Sequence, residues 1–300
     1  MASNKRDFLT LLDFTTEELA AIVDRAIELK ANPNPGTLDG RTGVAMFEMK
    51  STRTRVGFEA GMAQLGGHMV ILSPADSQLG RGEPIEDTAR VLSEMVDVLV
   101  IRAGDQAQIQ KLAHFASIPV INAMSNRFHP CQLLADVQTY QEHRGSIEGA
   151  SVAFVGDGYN MCHSYINAAR QWGFSLRIAA PEGYRPDPRL ISSSNNVTLV
   201  DTPQEAVADA DLVVTDVWSS MGHEGEEDNR LSLFEGYQIN ARMLDLASPE
   251  TLFMHCLPAH RGEEVSDELL DDPRSVVFAE AGNRLHTQKA LLEFVINGGF

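Results

Sequence analysis

Short apolar runs alternate with stretches of helical periodicity from one end of the chain to the other, and this alternation constrains the fold more than any other feature. The apolar runs fall at Val44–Phe47, Met69–Leu72, Val98–Ile101 and Pro119–Ile121. A second series follows at Val152–Val155, Leu176–Ala179, Val197–Val200, Leu212–Thr215, Phe253–His255 and Val276–Phe278. Helical patterns starting at Arg53, Glu83 and Gln106 separate the first series. Strands that alternate with helices fold as parallel sheets covered on both faces. The expected class is α/β, with two doubly wound parallel-sheet domains linked by helices. Sheets of that kind hold ligands in the crevice outside the carboxyl ends of their strands. The residues just after each apolar run therefore matter most.

A chain of 300 residues is long enough to build two cores. The expected domains cover residues 1–145 and 146–282, with a last helix in 283–300 packing back on the first. Thr15 to Lys30 reads as a helix opened by a capping box of Thr15 and Glu18. The amphipathic stretch His129–His143 bridges the two series, Gly145–Gly149 marks the boundary, and Asn283–Ile296 reads as the last helix.

Charge and cysteine usage exclude several function classes. A net charge of −18 argues against nucleic acid, because a phosphate backbone demands a basic face. It leaves room for a small anionic ligand, since the local field at a pocket decides that. No stretch has the apolar length of a membrane helix, so no membrane partner is expected. The opening MASNKRDFLTLLDF reads as the start of a mature domain rather than a secretory signal. Cys131, Cys162 and Cys256 show no CxxC spacing, which argues against a disulfide framework or a structural zinc site. A reducing cytoplasm is the expected setting, with no metal.

The sharpest local signal is Ser51-Thr52-Arg53-Thr54-Arg55, between an apolar run and the helical run Val56–Leu65. Hydroxyls and backbone N–H groups at a helix start, joined by arginine, make an anion site. The plain alternative is an N-cap beside solvated arginines. Arg102 ends the run Val98–Ile101, where a buried guanidinium would need an anion. His129-Pro130-Cys131-Gln132 opens the bridging helix after another run. A lone histidine there is ordinarily structural, but three donor clusters at three strand ends point together to one anion.

The second series carries different chemistry. Gly156-Asp157-Gly158-Tyr159-Asn160-Met161 sits at a strand-to-helix turn and resembles a dinucleotide fingerprint, but Met161 stands where the third glycine belongs. Ala179, Ala180 and Pro181 supply no acidic residue after the next run, so a nicotinamide dehydrogenase is disfavoured. Asn160 remains placed to hold a carboxylate or an amine. Asp216 follows Leu212–Thr215, where an acid can grip a cationic substrate group or merely open an Asx-turn. Cys256 follows Phe253–His255; a lone cysteine is usually a buried structural thiol, and a nucleophilic role would need a partnering base.

Taken together, the segments STRTR, QLGRGEPIEDTARVL, HPCQLLAD, DVWSSMG, HCLPAHRGEE and NRLH resemble the aspartate/ornithine carbamoyltransferase family from Thr42 to the end of the chain. The resemblance is to its ornithine-using members, because aspartate-using relatives carry HPTQ and a PLxR-type turn where this chain has HPCQ and HCLP. It implies transfer of the carbamoyl group of carbamoyl phosphate to the side-chain amine of L-ornithine, giving L-citrulline and phosphate, within arginine metabolism. It implies a carbamoyl-phosphate domain followed by an amino-acid domain, and a homotrimer, or a multiple of trimers, whose sites are shared between subunits.

By the same resemblance Ser51, Thr52, Arg53 and Thr54 bind the phosphate, with Arg102, His129, Gln132 and Arg284. Arg102, His129 and Thr54 grip the carbonyl oxygen, and Gln78 lies in the segment that reaches a neighbouring subunit's site. Asn160, Asp216, Ser220 and Met221 hold the α-amino and α-carboxylate ends of ornithine, while Cys256 and Leu257 lie beside the attacking amine and the carbamoyl phosphate. Met49, Gly282 and Tyr159 depart from the usual lysine, glutamate and asparagine, and Tyr159 bears on amine preference. Carbamoyl phosphate is a mixed anhydride, already activated, so no cofactor is expected. Alternatives within the family use putrescine or an acylated ornithine, and a silent binding paralogue is the alternative outside enzymes.

Overall fold

The computed structural model describes residues 5–73, 82–218 and 232–300. The chain divides into two compact units, Met1–Gln138 with Gly282–Phe300, and Thr139–Ala281. Each is built on its own parallel sheet.

The first unit contains β1 (Thr42–Phe47), β2 (His68–Leu72), β3 (Val98–Arg102) and β4 (Val120–Met124), ordered β2-β1-β3-β4. Every pairing is parallel, with Val44 opposite Val70 on one side and Leu99 on the other. Four helices, α1 (Thr16–Ala31), α2 (Arg53–Gln64), α3 (Ile85–Ser93) and α4 (Gln106–Phe115), connect and flank these strands. The expected capping box opens α1: Glu18 N–H donates to Thr15 Oγ1, and Thr15 N–H to Glu18 Oε2. A core of Val44, Met46, Leu99, Ile101, Ile109, Leu112 and Val120 closes one side of the sheet. The order reverses between β1 and β3, which sends the chain outward both ways from that pair. A crevice for ligands opens at the carboxyl ends of strands beside such a reversal.

The second unit repeats the plan with β5 (Ser151–Val155), β6 (Ser175–Ala179), β7 (Val197–Leu199), β8 (Leu212–Thr215) and β9 (Leu252–His255). Their order is β7-β6-β5-β8-β9, again all parallel, with the reversal between β5 and β8. Two longer helices carry chain shared by the units: α5 (Pro130–Arg144) and the last helix (Val277–Asn297). α6 (Asn160–Trp172) follows β5. The two linked parallel α/β sheets are the expected class.

One expected strand is absent. Val276–Phe278 does not form a strand; the last helix begins at Val277, well before the expected Asn283. The backbone at its start meets β9 through an isolated bridge between Phe253 and Ser275. Val276 N–H also donates to the Phe253 carbonyl. A three-residue run of β-branched and aromatic residues has no periodicity of its own, so it cannot separate a strand from the buried start of a helix.

The final residues, Gly282–Phe300, belong to the first unit. Arg25 pairs with the buried Glu293 at 2.7 Å. Lys289 is fully buried and donates to the carbonyls of Leu29 and Pro33 and to Gln64 Oε1, so it satisfies acceptors at the end of α1.

Candidate active site

At the tip of β1, the chain enters α2 through Ser51 and Thr52. Thr52 occupies the N-cap position, yet its side chain makes no capping bond. The plain reading of Thr52 as a side-chain N-cap therefore fails, and a helix start of this kind suits an anion. The two arginines diverge. Arg55 is exposed and sits 3.6 Å from Glu59, an ordinary surface pair. Arg53 is half-buried and acts electrostatically on His129.

Four side chains converge around the buried Thr54 hydroxyl and its neighbours. Arg284 donates through Nη2 to Thr54 Oγ1 at 3.1 Å and through Nη1 to Gln132 Oε1 at 2.6 Å. Arg102 Nη1 stands 3.5 Å from the same Thr54 oxygen. Gln132 Nε2 donates to Asp136 Oδ1 at 2.9 Å, which fixes which end of the amide faces Arg284. Arg102, His129, Gln132 and Arg284 are all nine-tenths or more buried. Burial holds the His129 imidazole well below its ordinary pKa, and Arg284, Arg102 and Arg53 push the same way. His129 is thus a neutral donor inside a ring of guanidinium charge. Ser51 is half-buried and Thr52 exposed, just before α2. Gln78 lies outside the described residues.

The second unit gathers its groups at the tips of β5, β8 and β9. Thr215 Oγ1 donates to the Val155 carbonyl at 2.6 Å and ties β8 to β5 at the sheet's reversal point. The turn after β5 must be glycine at two places. Gly156 adopts φ 135°, and a Cβ at Gly158 would come within 2.6 Å of the Tyr184 carbonyl. The turn delivers a buried Asn160 to the first position of α6. His163, one turn on, accepts the Asp187 N–H on Nε2 at 3.1 Å.

Asp216 is buried at the tip of β8, and its Oδ1 accepts from Val217 N–H at 2.8 Å and from Cys256 Sγ at 3.2 Å. Burial raises the Asp216 pKa, while the hydrogen bonds from the Cys256 thiol and the Val217 N–H favour its charged form. Behind this pair lies a group that sequence reasoning left without a role. His255 Nδ1 accepts from Leu257 N–H at 2.9 Å, so the ring proton sits on Nε2, 3.1 Å from Glu264 Oε1. Glu264 Oε1 also accepts from His260 N–H, and Glu280 Oε2 accepts from His255 N–H. Leu257 holds φ 55°, a strained left-handed backbone for a branched residue.

Asp216, His255 and Cys256 offer donor atoms within 4.8 Å of one another, as do His260, Glu263 and Glu264. In the first set the donors already bind each other or Glu264, as a proton-sharing chain would. Ser220 and Met221 lie outside the described residues. Of the three cysteines, Cys131 and Cys162 are buried structural thiols; burial pushes Cys131 up to about 12 and raises Cys162 as well. Cys256 alone is partly exposed.

Asp136 was findable, because it lies four residues after Gln132 on a helix. The pairing of His255 with Glu264 was not, since it crosses an irregular loop.

Comparison with known proteins gives this architecture a family. Residues 6–142 match the carbamoyl-phosphate binding domain of aspartate/ornithine carbamoyltransferase, and residues 148–295 match the aspartate/ornithine binding domain. The chain belongs to the aspartate/ornithine carbamoyltransferase family. It is 56% identical over 296 residues to an ornithine carbamoyltransferase of Psychrobacter sp. strain PRwf-1, covering 97% of each chain. It is 54% identical to the anabolic ornithine carbamoyltransferase of Pseudomonas aeruginosa, again covering 97% of each. Among solved structures it resembles ornithine carbamoyltransferase from Pyrococcus furiosus, with TM-score 0.93, 45% identity and 98% of each chain covered.

Proposed function

We propose that the chain is an ornithine carbamoyltransferase, which moves the carbamoyl group of carbamoyl phosphate onto the side-chain amine of L-ornithine and releases L-citrulline and phosphate. The observation that carries the reading is the convergence of Arg53, Arg102 and Arg284 on a neutral, buried His129. So many cations in one buried place suit a multiply charged phosphorylated ligand. The step belongs to arginine metabolism.

Ser51, Thr52, Arg53 and Arg284 hold the phosphate, with the first-turn N–H groups of α2. Gln132 orients Arg284. Arg102, His129 and Thr54 meet the carbonyl oxygen, which gains negative charge as the amine attacks. Donors fixed before the reaction stabilise that charge without reorganising. Asn160 and Asp216 take the amino-acid ends of ornithine, together with Ser220 and Met221. Cys256 and Leu257 lie beside the attacking amine and the carbamoyl phosphate, and Gln78 reaches the site of a neighbouring subunit.

The balance of the step is simple. The neutral amine nitrogen forms a bond to the carbonyl carbon, the carbon–oxygen bond to phosphate breaks, and phosphate leaves with the bonding pair. The amine sheds a proton, for which Asp216, with the Cys256 thiol donating to it, is the proposed acceptor. No cofactor enters, since the anhydride supplies the driving force.

The enzyme works in the cytoplasm, as a homotrimer or a multiple of trimers. Exposed Val56, Val91 and Met95 in the first unit supply apolar surface for such contacts. Among the described residues no helix is long and apolar enough to cross a membrane.

Citrulline formation from carbamoyl phosphate and L-ornithine tests the assignment. Turnover with ornithine and little with putrescine or an N-acylated ornithine is expected. No citrulline, or a preference for putrescine, overturns it. Arg53→Ala is expected to abolish turnover in a folded protein, and parental activity would remove the anion site.

A further inference from the structure

β4, the strand that leads to His129, falls out of step with its neighbour at its tip. Ile101 pairs with Asn122, but Arg102 pairs with Met124, so Ala123 is the extra residue of a bulge. A bulge re-aims the side chains beside it, and Arg102 stands there.

Past the bulge, the loop after β3 and the loop after β4 are joined at successive residues. Ala103 N–H donates to the Met124 carbonyl and Asn126 N–H to the Gly104 carbonyl, both at 3.2 Å. Gln106 N–H donates to Asn126 Oδ1 at 3.1 Å. Ser125 holds the centre. Its Oγ accepts the N–H groups of Arg127 and Phe128 at 3.1 Å and donates to Gln106 Oε1 at 2.5 Å. Gln106 Oε1 also accepts from Asn122 Nδ2 at 3.2 Å. Asn122, Ser125 and Gln106 are buried, so these bonds are not exchanged with water.

We infer that Ser125 and Gln106 are positioning residues that set the spacing between Arg102 and His129. The inference rests on the reading of those two residues as donors to the carbonyl oxygen. Four residues of irregular backbone, Ser125 to Phe128, separate β4 from His129, and an untethered loop of that length would not place a donor to a fraction of an ångström. Displacing a catalytic group by about 1 Å costs about a hundredfold in rate. The bulge sets where Arg102 emerges, and the Ser125 turn, clamped through Gln106 to the start of α4, sets where His129 follows. Neither Ser125 nor Gln106 needs to touch substrate.

Steady-state kinetics on Ser125→Ala, Ser125→Thr, His129→Leu and the Ser125→Ala/His129→Leu double variant test this. Ser125→Ala is expected to lower kcat by about ten- to a hundredfold while the KM for ornithine stays within about twofold. Ser125→Thr keeps the Oγ and is expected to recover most of the rate. The double variant is expected to be no slower than His129→Leu alone, because a misplaced and an absent donor fail alike. Gln106→Met, which removes the acceptor and keeps the volume, repeats the pattern if Ser125→Ala does not fold. Parental kcat in Ser125→Ala, or losses that multiply in the double variant, overturn the inference. If His129→Leu itself keeps the parental rate, the assignment of the carbonyl donors fails instead.

Discussion

Arg284 Nη2 lies 3.1 Å from Thr54 Oγ1, so a guanidinium near the end of the sequence closes a group opened by the first turn of α2. Both hydrogen-bond partners given above, the Thr54 hydroxyl and the Gln132 amide, are neutral. These two bonds aim the guanidinium at the first turn of α2 and the start of α5. The position of Arg284 is set in turn by its helix, which Lys289 and Glu293 fasten to α1 and α2 within the same unit.

Thr54→Val isolates the hydroxyl from the volume it fills. The variant removes the acceptor shared by Arg284 and Arg102 and, on the proposed assignment, a donor to the carbonyl oxygen. Loss of one such donor is worth about 3–4 kcal/mol of transition-state stabilisation, or about a hundredfold or more in kcat. The KM for carbamoyl phosphate is expected to rise as well, with an unchanged circular dichroism spectrum. Kinetics within about threefold of the parent would show that Thr54 only packs.

The parts of this design that lie next to a strand end were legible in the sequence. STRTR, Arg102, His129, Asn160, Asp216 and Cys256 each follow an apolar run, and a parallel sheet sends such residues to its ligand-binding edge. Two kinds of information were not. Val276–Phe278 is too short for its period to decide between strand and helix, and it became the first turn of the last helix. The partners behind the site, Gln106 for Ser125 and Glu264 for His255, are joined across loops whose path no spacing rule dictates. Polar side chains at those places look like ordinary turn residues until the backbone is known.

Asp216 and Cys256 give a prediction that separates the two substrates. Cys256 Sγ donates to Asp216 Oδ1, and burial raises the pKa of that carboxyl. As pH falls, Asp216 takes up a proton earlier than a solvent-exposed aspartate, and on the proposed assignment this weakens its hold on the ornithine amine. Asp216→Asn is expected to raise the KM for ornithine at least about tenfold more than that for carbamoyl phosphate. Equal losses for both substrates would contradict the role. In the parent, rate rises with pH as the bound amine deprotonates, and a flat profile from pH of about 6 to 9 would count against direct amine attack.

The three thiols differ enough to be told apart chemically. Cys131 donates to the Asn122 carbonyl at 3.4 Å and is held up to about 12, while Cys162 is buried with its pKa raised. The thiolate is the reactive form, so neither reacts in the folded protein. Iodoacetamide at pH of about 8 is expected to modify Cys256 alone, as read by peptide mass spectrometry, with all three modified in urea. Native modification of Cys131 at the rate of Cys256 would contradict the burial of α5's first turn.

His129 ties the anion site to stability, and the sign follows from its surroundings. Burial, then Arg284, Arg102 and Arg53, hold its folded pKa well below the ordinary 6.5. Below that pH the unfolded chain binds a proton that the folded protein refuses, so the group favours unfolding progressively as pH falls toward the folded value. Its contribution is fully present above about 6.5 and is lost beneath it, by up to about 1.4 kcal/mol for each pH unit crossed. Asp216 works in the opposite direction, because its raised pKa makes the folded form bind a proton more readily on the same descent. Comparing the parent with His129→Gln at one protomer concentration cancels Asp216 and every other titrating group. Urea unfolding at pH of about 7.5, 6.5 and 5.5 should show the parent losing stability faster than the variant below about 6.5, and the two running parallel above it. Parallel curves throughout would mean that His129 takes up its proton in the folded state, and the ring of arginines around it would not be close enough to act as an anion cradle.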